Sequence, residues 1–184
     1  MTSEAPHKWR KRLINALVCI LGGAFMALAF PPYDLGNLVW VGLIPLLCVL
    51  WNGQRGFRRG FCYAWLYAMG WYCVSFWWIH NVGYVFRIPL PVFVGIAFLP
   101  LMTVYSCLVG LWGGLANTLL RPRLAAIPDT SNLAKPIQKQ QAWSSWVTAD
   151  LLSTLRSAVG CGAAWVCVEW LRANGTLGFS WNST

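Results

Sequence analysis

Charged residues are scarce in this chain. Asp, Glu, Lys and Arg together make up 10% of its 184 residues, whereas a typical soluble domain carries about 25%. Hydrophobic residues make up 58% and fall in long runs without charge. Too few polar side chains remain to cover the surface of a globule, so the composition predicts a membrane protein rather than a soluble domain.

Residues suited to catalysis or metal binding are also few. The sequence has five acids and two histidines, and its seven cysteines lie inside apolar runs without a C-x-x-C pair. It contains neither a Gly-x-Ser-x-Gly turn nor a glycine-rich phosphate loop. We therefore expect no catalytic residue, no metal site and no cofactor in these residues.

Five apolar runs predict an all-α fold, a polytopic integral membrane bundle of about five transmembrane helices. The predicted spans are residues 13–30, 35–51, 61–79, 91–120 and 151–171. A run of about 18 residues reaches about 27 Å as a helix, which is close to the roughly 30 Å of the hydrocarbon core. Pro45 and Pro100 inside two of these runs predict kinks.

The remaining segments complete the predicted organisation. Residues 1–12 form a basic cytoplasmic tail, residues 13–184 form the transmembrane domain, and residues 121–150 form a polar loop within it. Ala27-Leu28-Ala29 fits the cleavage site of a secretory signal peptide. Because further spans follow, we favour an uncleaved anchor.

The distribution of basic residues predicts the orientation of the helices. Twelve of the 14 Lys and Arg residues fall on one predicted side of the membrane: in the N-terminal tail, in the 52–60 segment, in the 121–150 loop and at Arg156. Only Arg87 and Arg172 fall on the other side. The positive-inside rule then places the N-terminus in the cytoplasm and the C-terminus in the periplasm. The same clusters explain the net charge of +9, so we expect contact with anionic lipid and none with nucleic acid.

Small residues recur at four-residue spacing within the apolar runs. The pairs are Gly23 and Ala27, Ala64 and Ala68, Gly110 and Gly114, and Gly160 and Ala164. Such pairs let helix backbones approach closely in lipid. They predict a packed bundle rather than separate helices.

Two features are candidates for function. Glu169 is the one acid within an apolar span, and an ionisable group at membrane depth is a functional candidate. In the alternative reading, Arg172 pairs with it at the interface and neither is deeply buried. The second candidate is the aromatic segment at the outer end of the third span, Trp77-Trp78-Ile79-His80-Asn81. Such a segment is typical of an aromatic belt. In the alternative reading it lines a site for a lipid headgroup or acyl chain.

Three stretches carry a family resemblance. The first runs from Gly22-Gly23 through Phe30-Pro31-Pro32-Tyr33-Asp34 to Leu35, and the second comprises residues 60–78 with Pro89-Leu90-Pro91. The third comprises Ala163-Ala164-Trp165, Glu169-Trp170-Leu171-Arg172 and Gly178-Phe179-Ser180-Trp181-Asn182. In this order they resemble the N-terminal membrane part of bacterial apolipoprotein N-acyltransferases, over about residues 13–120 and 160–182. Ser180 departs from the family's usual Pro, His80 replaces a more usual aromatic or hydroxyl residue, and the 121–150 loop is longer.

The resemblance implies a multi-pass protein of the bacterial inner membrane and an enzyme family that moves an acyl chain from phospholipid to the N-terminal cysteine of apolipoproteins. It places the family's Glu-Lys-Cys triad in a nitrilase-like domain beyond residue 184, so this chain alone is predicted to be inactive. Phospholipid and apolipoprotein are the expected partners.

The resemblance also suggests which residues of this chain serve substrate binding or domain docking. They are the outer-end residues Trp77, Trp78, His80, Asn81, Glu169, Arg172 and Trp181. The alternative class is a non-catalytic membrane subunit or small transporter. A transporter would show an inverted repeat or ionisable residues at the middle of the membrane, and neither is seen in the sequence.

Overall fold

The protein is described by a computed structural model that covers residues 5–52, 54–122 and 136–174, with side chains described except at 5–8, 40, 136–146, 172 and 173. The described residues form helices and turns without a strand, which confirms the all-α fold class. The helices are α1 (Ala5–Ala27), α2 (Val39–Gly42), α3 (Ile44–Trp51), α4 (Phe57–Ser75), α5 (His80–Val85), α6 (Leu90–Phe93), α7 (Leu99–Thr118) and α8 (Pro136–Asn174).

Prolines start helices here more than they kink them. The predicted span 35–51 is a 3₁₀ turn at Gly36–Leu38 followed by α2 and α3. Pro45 lies in the first turn of α3, where its missing N–H would have had no partner in the helix. Pro100 likewise opens α7, and the chain before it forms a π-helical segment at Val94–Phe98.

The helix boundaries differ from the predicted ones at several places. Helix α1 begins at Ala5, within the predicted basic tail. Helix α4 begins at Phe57 and so includes Arg58 and Arg59, which lie between two predicted spans. Helix α8 begins at Pro136, inside the predicted polar loop. Its first turns contain Gln138-Lys139-Gln140-Gln141, and Gln and Lys are good helix formers, so a polar composition here indicates a polar helix as well as it indicates a loop.

Two helical stretches among the described residues are long and apolar enough to cross a membrane, judged by length and composition. They are Leu90–Thr118 and Val147–Leu171. The five spans and the orientation of the termini therefore stay predictions.

Helix α4 lies at the centre of the bundle and packs against α1 and α7 through glycines. A Cβ atom built on Gly23 of α1 would lie 1.8 Å from the carbonyl oxygen of Tyr67. One built on Gly60 of α4 would lie 2.3 Å from the carbonyl oxygen of Gly113. These backbone-to-backbone approaches leave no room for a side chain and confirm the close packing predicted from the small residues.

Helices that follow one another in the chain run in opposite directions through most of the bundle. Gly42 and Pro45 meet Met26 and Gly22 of α1, respectively. Tyr67 and Arg59 of α4 donate hydrogen bonds to the carbonyl oxygens of Gly42 and Val49.

The same alternation continues along the second half of the chain. Gly60 faces Gly113, whereas Tyr72 contacts Tyr105, so α4 and α7 are antiparallel. The chain therefore alternates in direction from α1 through α2 and α3 to α4 and then to α7.

Helix α8 docks on this bundle through an indole hydrogen bond. Nε1 of the buried Trp112 donates to the carbonyl oxygen of Cys161 at 2.9 Å. The ring of Trp165, one turn further along α8, lies 5.2 Å from that of Trp112 and 6.0 Å from that of Trp71. These contacts attach α8 to both α7 and α4.

Candidate functional site

The predicted aromatic segment lies where α4 ends. After Ser75 the chain forms a 3₁₀ turn at Trp77–Ile79 and then α5. The Trp77 ring stacks on His80, with ring centroids 5.1 Å apart and planes at 28°. It also meets Phe98 of the π-helical segment edge-on, at 5.8 Å and 90°. The structure thus brings Trp77 and His80 together and adds Phe98, which the sequence analysis did not select.

The imidazole of His80 is held by the backbone. Its Nδ1 lies 2.5 Å from the carbonyl oxygen of Trp77. A carbonyl oxygen only accepts, so Nδ1 must carry the hydrogen and Nε2 is the lone-pair nitrogen of the neutral ring. The half-buried His80 can therefore accept a hydrogen bond at Nε2 while its orientation stays fixed.

The surroundings of this segment are an exposed apolar surface. Trp77 is 47% exposed, Trp78 is 39% exposed, and Asn81 is exposed beside them. Further along α5, Tyr84 and Phe86 are 84% and 71% exposed. Flat apolar faces with polar edges suit the boundary between headgroups and acyl chains. The arrangement can bind lipid, either as an aromatic belt or as a binding site.

Glu169 lies on a different helix, and its side chain is buried. It is 9% exposed, and α8 continues beyond it to Asn174. Its depth in the membrane and its role stay predictions. Its predicted pairing with Arg172 falls outside the described side chains, and Trp181 falls outside the described residues altogether.

A cluster of contacting aromatic rings inside the bundle was not predicted from the sequence. The ring centroids of Phe30 and Tyr72 lie 5.5 Å and 4.9 Å from that of Trp71, and Trp165 stacks on Trp71 and meets Trp112 edge-on. Tryptophan is enriched at membrane interfaces, so tryptophans in the middle of predicted spans were the available signal. Glu169 follows Trp165 by one turn of α8. Ser75 likewise follows Trp71 by one turn of α4.

Fold and site together define an all-helical protein with membrane-length apolar helices, close glycine-mediated packing and an aromatic surface at one end. Comparison with known proteins makes the assignment specific. The family described as the apolipoprotein N-acyltransferase N-terminal domain matches residues 22–184. The chain therefore belongs to the apolipoprotein N-acyltransferase family, as the resemblance predicted.

Two curated relatives agree with this assignment. The chain is similar to an apolipoprotein N-acyltransferase of Gloeobacter violaceus, with 28% identity over 174 residues, which are 95% of this chain and 28% of that protein. It is also similar to one of Thermotoga maritima, with 31% identity over 106 residues, which are 55% of this chain and 20% of that protein. The chain thus spans about a quarter of the length of these relatives.

Proposed function

We propose that this chain forms the membrane-embedded N-terminal part of an enzyme that transfers an acyl chain from phospholipid to the N-terminal cysteine of apolipoproteins. The observation that carries the proposal is the family match over residues 22–184. The acyl-transfer chemistry is assigned to the part of the relatives that this chain does not span. Its own role is to hold lipid and to support the catalytic part.

The burial pattern supports placement in a membrane. Apolar side chains point outward on both α1 and α8, with Leu21 65% exposed, Val159 71% and Trp170 63%. Glycines, in contrast, lie at the helix contacts inside the bundle. A soluble protein rarely exposes so continuous an apolar surface, whereas lipid-facing helices require one.

The alternating helix directions support five crossings in the bacterial inner membrane. Basic residues from distant segments also gather at one end of the bundle. Arg121 donates a hydrogen bond to the carbonyl oxygen of Trp51, and Arg55 donates one to the carbonyl oxygen of Arg121 at 3.4 Å. The positive-inside rule then favours the cytoplasm for this end and the periplasm for the end that carries Trp77 and His80.

At the periplasmic end we assign Trp77, Trp78, His80 and Asn81 to the surface that meets the phospholipid donor or the catalytic part. The exposed Trp77 ring, which stacks on His80 and rests edge-on against the buried Phe98, provides an apolar face. Nε2 of His80 and the amide of Asn81 provide polar edges for a headgroup.

Acyl transfer measured in vitro tests this division of labour. The donor is phospholipid, the acceptor is a diacylglyceryl-modified peptide with an N-terminal cysteine, and the full-length Gloeobacter violaceus relative is the positive control. We expect turnover by the relative and none by the 184-residue chain alone. Turnover by the chain alone would show that the chemistry resides in these residues.

Reporter fusions test the orientation independently. Green fluorescent protein fluoresces when fused on the cytoplasmic side, and alkaline phosphatase is active when fused on the periplasmic side. We expect fluorescence for fusions after Arg58 and phosphatase activity for fusions after Arg87. The reverse result would contradict the proposed topology without touching the family assignment.

A further inference from the structure

The connection between α4 and α7 folds into a short hairpin of α5 and α6 with an exposed apolar tip. Every residue from 84 to 90 is exposed. At the tip, which we define as residues 84–88, the side chains of Tyr84, Val85 and Phe86 are 84%, 73% and 71% exposed. An apolar patch of this kind marks a surface that meets a partner or a membrane.

The base of the hairpin is packed, so the tip has a defined shape. A Cβ atom built on Gly83 would lie 2.8 Å from Cγ of Phe93, which shows that α5 and α6 are in contact. Gly83 and Phe93 are both buried. The exposed side chains of the tip therefore extend from a preformed base.

The turn of the hairpin leaves few backbone N–H groups free. The N–H groups of residues 86, 87 and 88 donate to carbonyl oxygens of α5 at 2.9–3.1 Å. Pro89 and Pro91 have no N–H. Three paired groups and two prolines mean that five of the six residues from 86 to 91 have no free donor. Unpaired N–H groups make it costly to move a turn out of water, so this turn can enter the edge of a membrane at low cost.

The charge of the tip distinguishes a lipid surface from other apolar partners. Arg87 is exposed in the turn, and the sequence has no acidic residue between Asp34 and Asp129. The φ angle of Arg87 is 55°, a left-handed conformation that glycine adopts more readily. An arginine at such a position indicates that its charge serves a contact outside the turn. Phosphate oxygens match the guanidinium group in charge and geometry.

We propose that the tip inserts into the phospholipid leaflet at this end of the bundle, with Tyr84, Val85 and Phe86 among the upper acyl chains and Arg87 at the phosphates. Aromatic side chains suit this boundary, and the guanidinium group keeps the tip from entering the hydrocarbon core. Because α5 begins at His80, the inserted tip also fixes the height of the Trp77 surface relative to the headgroups. This anchor goes beyond the proposed function, which assigns the acyl donor or the catalytic part to residues 77–81.

Photocrosslinking of the 184-residue chain in vesicles of phosphatidylglycerol and phosphatidylcholine tests the proposal. The photoreactive residue p-benzoylphenylalanine replaces Tyr84, and the mass of the irradiated protein shows whether a phospholipid has been attached. The same replacement of Tyr33 is the matched control, because Tyr33 is also exposed, at 53%, but lies next to the acidic Asp34. We expect phospholipid adducts at position 84 to exceed those at position 33 several-fold.

Two results would overturn the proposal. One is an equal yield of phospholipid adducts at the two positions, and the other is crosslinking of position 84 to a second protein chain in place of lipid. The yield is read without acyl transfer, so neither result bears on the proposed function.

Two substitutions separate the charge of Arg87 from its place in the turn. Arg87→Gly removes the charge and relieves the left-handed conformation, whereas Arg87→Lys keeps both. Loss of one basic side chain at an anionic lipid surface should shift the insertion equilibrium about fivefold toward water. We therefore expect fewer adducts at position 84 in Arg87→Gly and an unchanged yield in Arg87→Lys.

A purely structural role for Arg87 predicts the opposite order, with glycine at least as good as arginine. An undiminished yield in Arg87→Gly would overturn the placement of Arg87 at the phosphates. The unfolding transition of Arg87→Gly, followed by tryptophan fluorescence, should be no lower than that of the unsubstituted chain, so that a lower yield cannot come from loss of the fold.

Discussion

Replacing Gly23 by alanine tests the contact between α1 and α4 on which the bundle depends. The added Cβ would lie 1.8 Å from the oxygen and 2.8 Å from the carbon of the Tyr67 carbonyl, and 2.9 Å from the nitrogen of Trp71. All three atoms belong to the backbone, so no side-chain rotation can relieve the clash. Ordinary contact starts at 3.4 Å, so α1 and α4 must separate by about 1.6 Å if the contact opens directly.

The magnitude follows from two opposing effects. Overpacking a well-packed interior costs about 1–3 kcal/mol, and a separation of this size removes much of the dispersion attraction across the contact. Alanine is the better helix former by about 1 kcal/mol. Taking the upper end of the packing cost, we expect Gly23→Ala to lower the free energy of unfolding by about 2 kcal/mol.

Gly162→Ala is the matched control for this prediction. Gly162 also lies inside a helix, but a Cβ built on it has no neighbour within 4 Å. Its substitution should raise the free energy of unfolding by up to about 1 kcal/mol. The two variants are therefore expected to change stability in opposite directions.

The assay is equilibrium unfolding in mixed micelles, followed by the fluorescence of the 13 tryptophans. The reasoning is refuted if Gly23→Ala is as stable as the unsubstituted chain while Gly162→Ala behaves as a surface helix position should. That result would mean that α1 does not approach α4 as closely as described.

Three further substitutions remove side-chain hydrogen bonds; two are read by the same unfolding assay and one by hydrogen exchange. Tyr67→Phe removes the 2.8 Å hydrogen bond from the buried hydroxyl to the carbonyl oxygen of Gly42 and should lower the free energy of unfolding by about 1 kcal/mol. Tyr84→Phe is its control, because Tyr84 is 84% exposed and its substitution should not change the free energy of unfolding measurably. Trp112→Phe removes the 2.9 Å bond to the carbonyl oxygen of Cys161, and should speed hydrogen exchange in α8; unchanged exchange would show that α8 does not depend on that bond. Asn117→Leu removes two hydrogen bonds, to the carbonyl oxygens of Gly56 and Gln54. Because Gly56 still accepts from the N–H of Gly60 and Gln54 from the guanidinium of Arg59, the loss should be about 0.5–1.5 kcal/mol; a stability equal to that of the unsubstituted chain would contradict the assigned contacts.

The helical class and the long seventh helix could be predicted because they depend on local composition. The charge-free run 91–120 is bounded by Arg87 and Arg121, and the structure has helix from Leu90 to Thr118. The division of residues 35–51 into short helices could not be read from hydropathy. A proline that starts a helix and one that kinks it look alike in a sequence, so the position of Pro45 in the first turn of α3 could not be predicted.

In the candidate site, too, contacts within one helical turn could be predicted from the sequence, whereas contacts between separate helices could not. The contact of Trp77 with His80 follows from their three-residue spacing on a helical turn. The approach of Phe98 and the burial of Glu169 require α7 and α8 to be docked on α4. Neither docking leaves a local pattern in the sequence, so these two features could not be predicted from it.

The most direct test of the central claim is the activity of a chimera. Residues 1–184 of this chain replace the matching N-terminal segment of the Gloeobacter violaceus relative, and acyl transfer to the diacylglyceryl peptide is measured in membranes at equal protein levels. We predict measurable turnover, and its loss in the same chimera carrying a leucine in place of Gly23. A well-folded, membrane-inserted chimera without turnover would contradict the claim that these helices serve as the N-terminal part of an apolipoprotein N-acyltransferase.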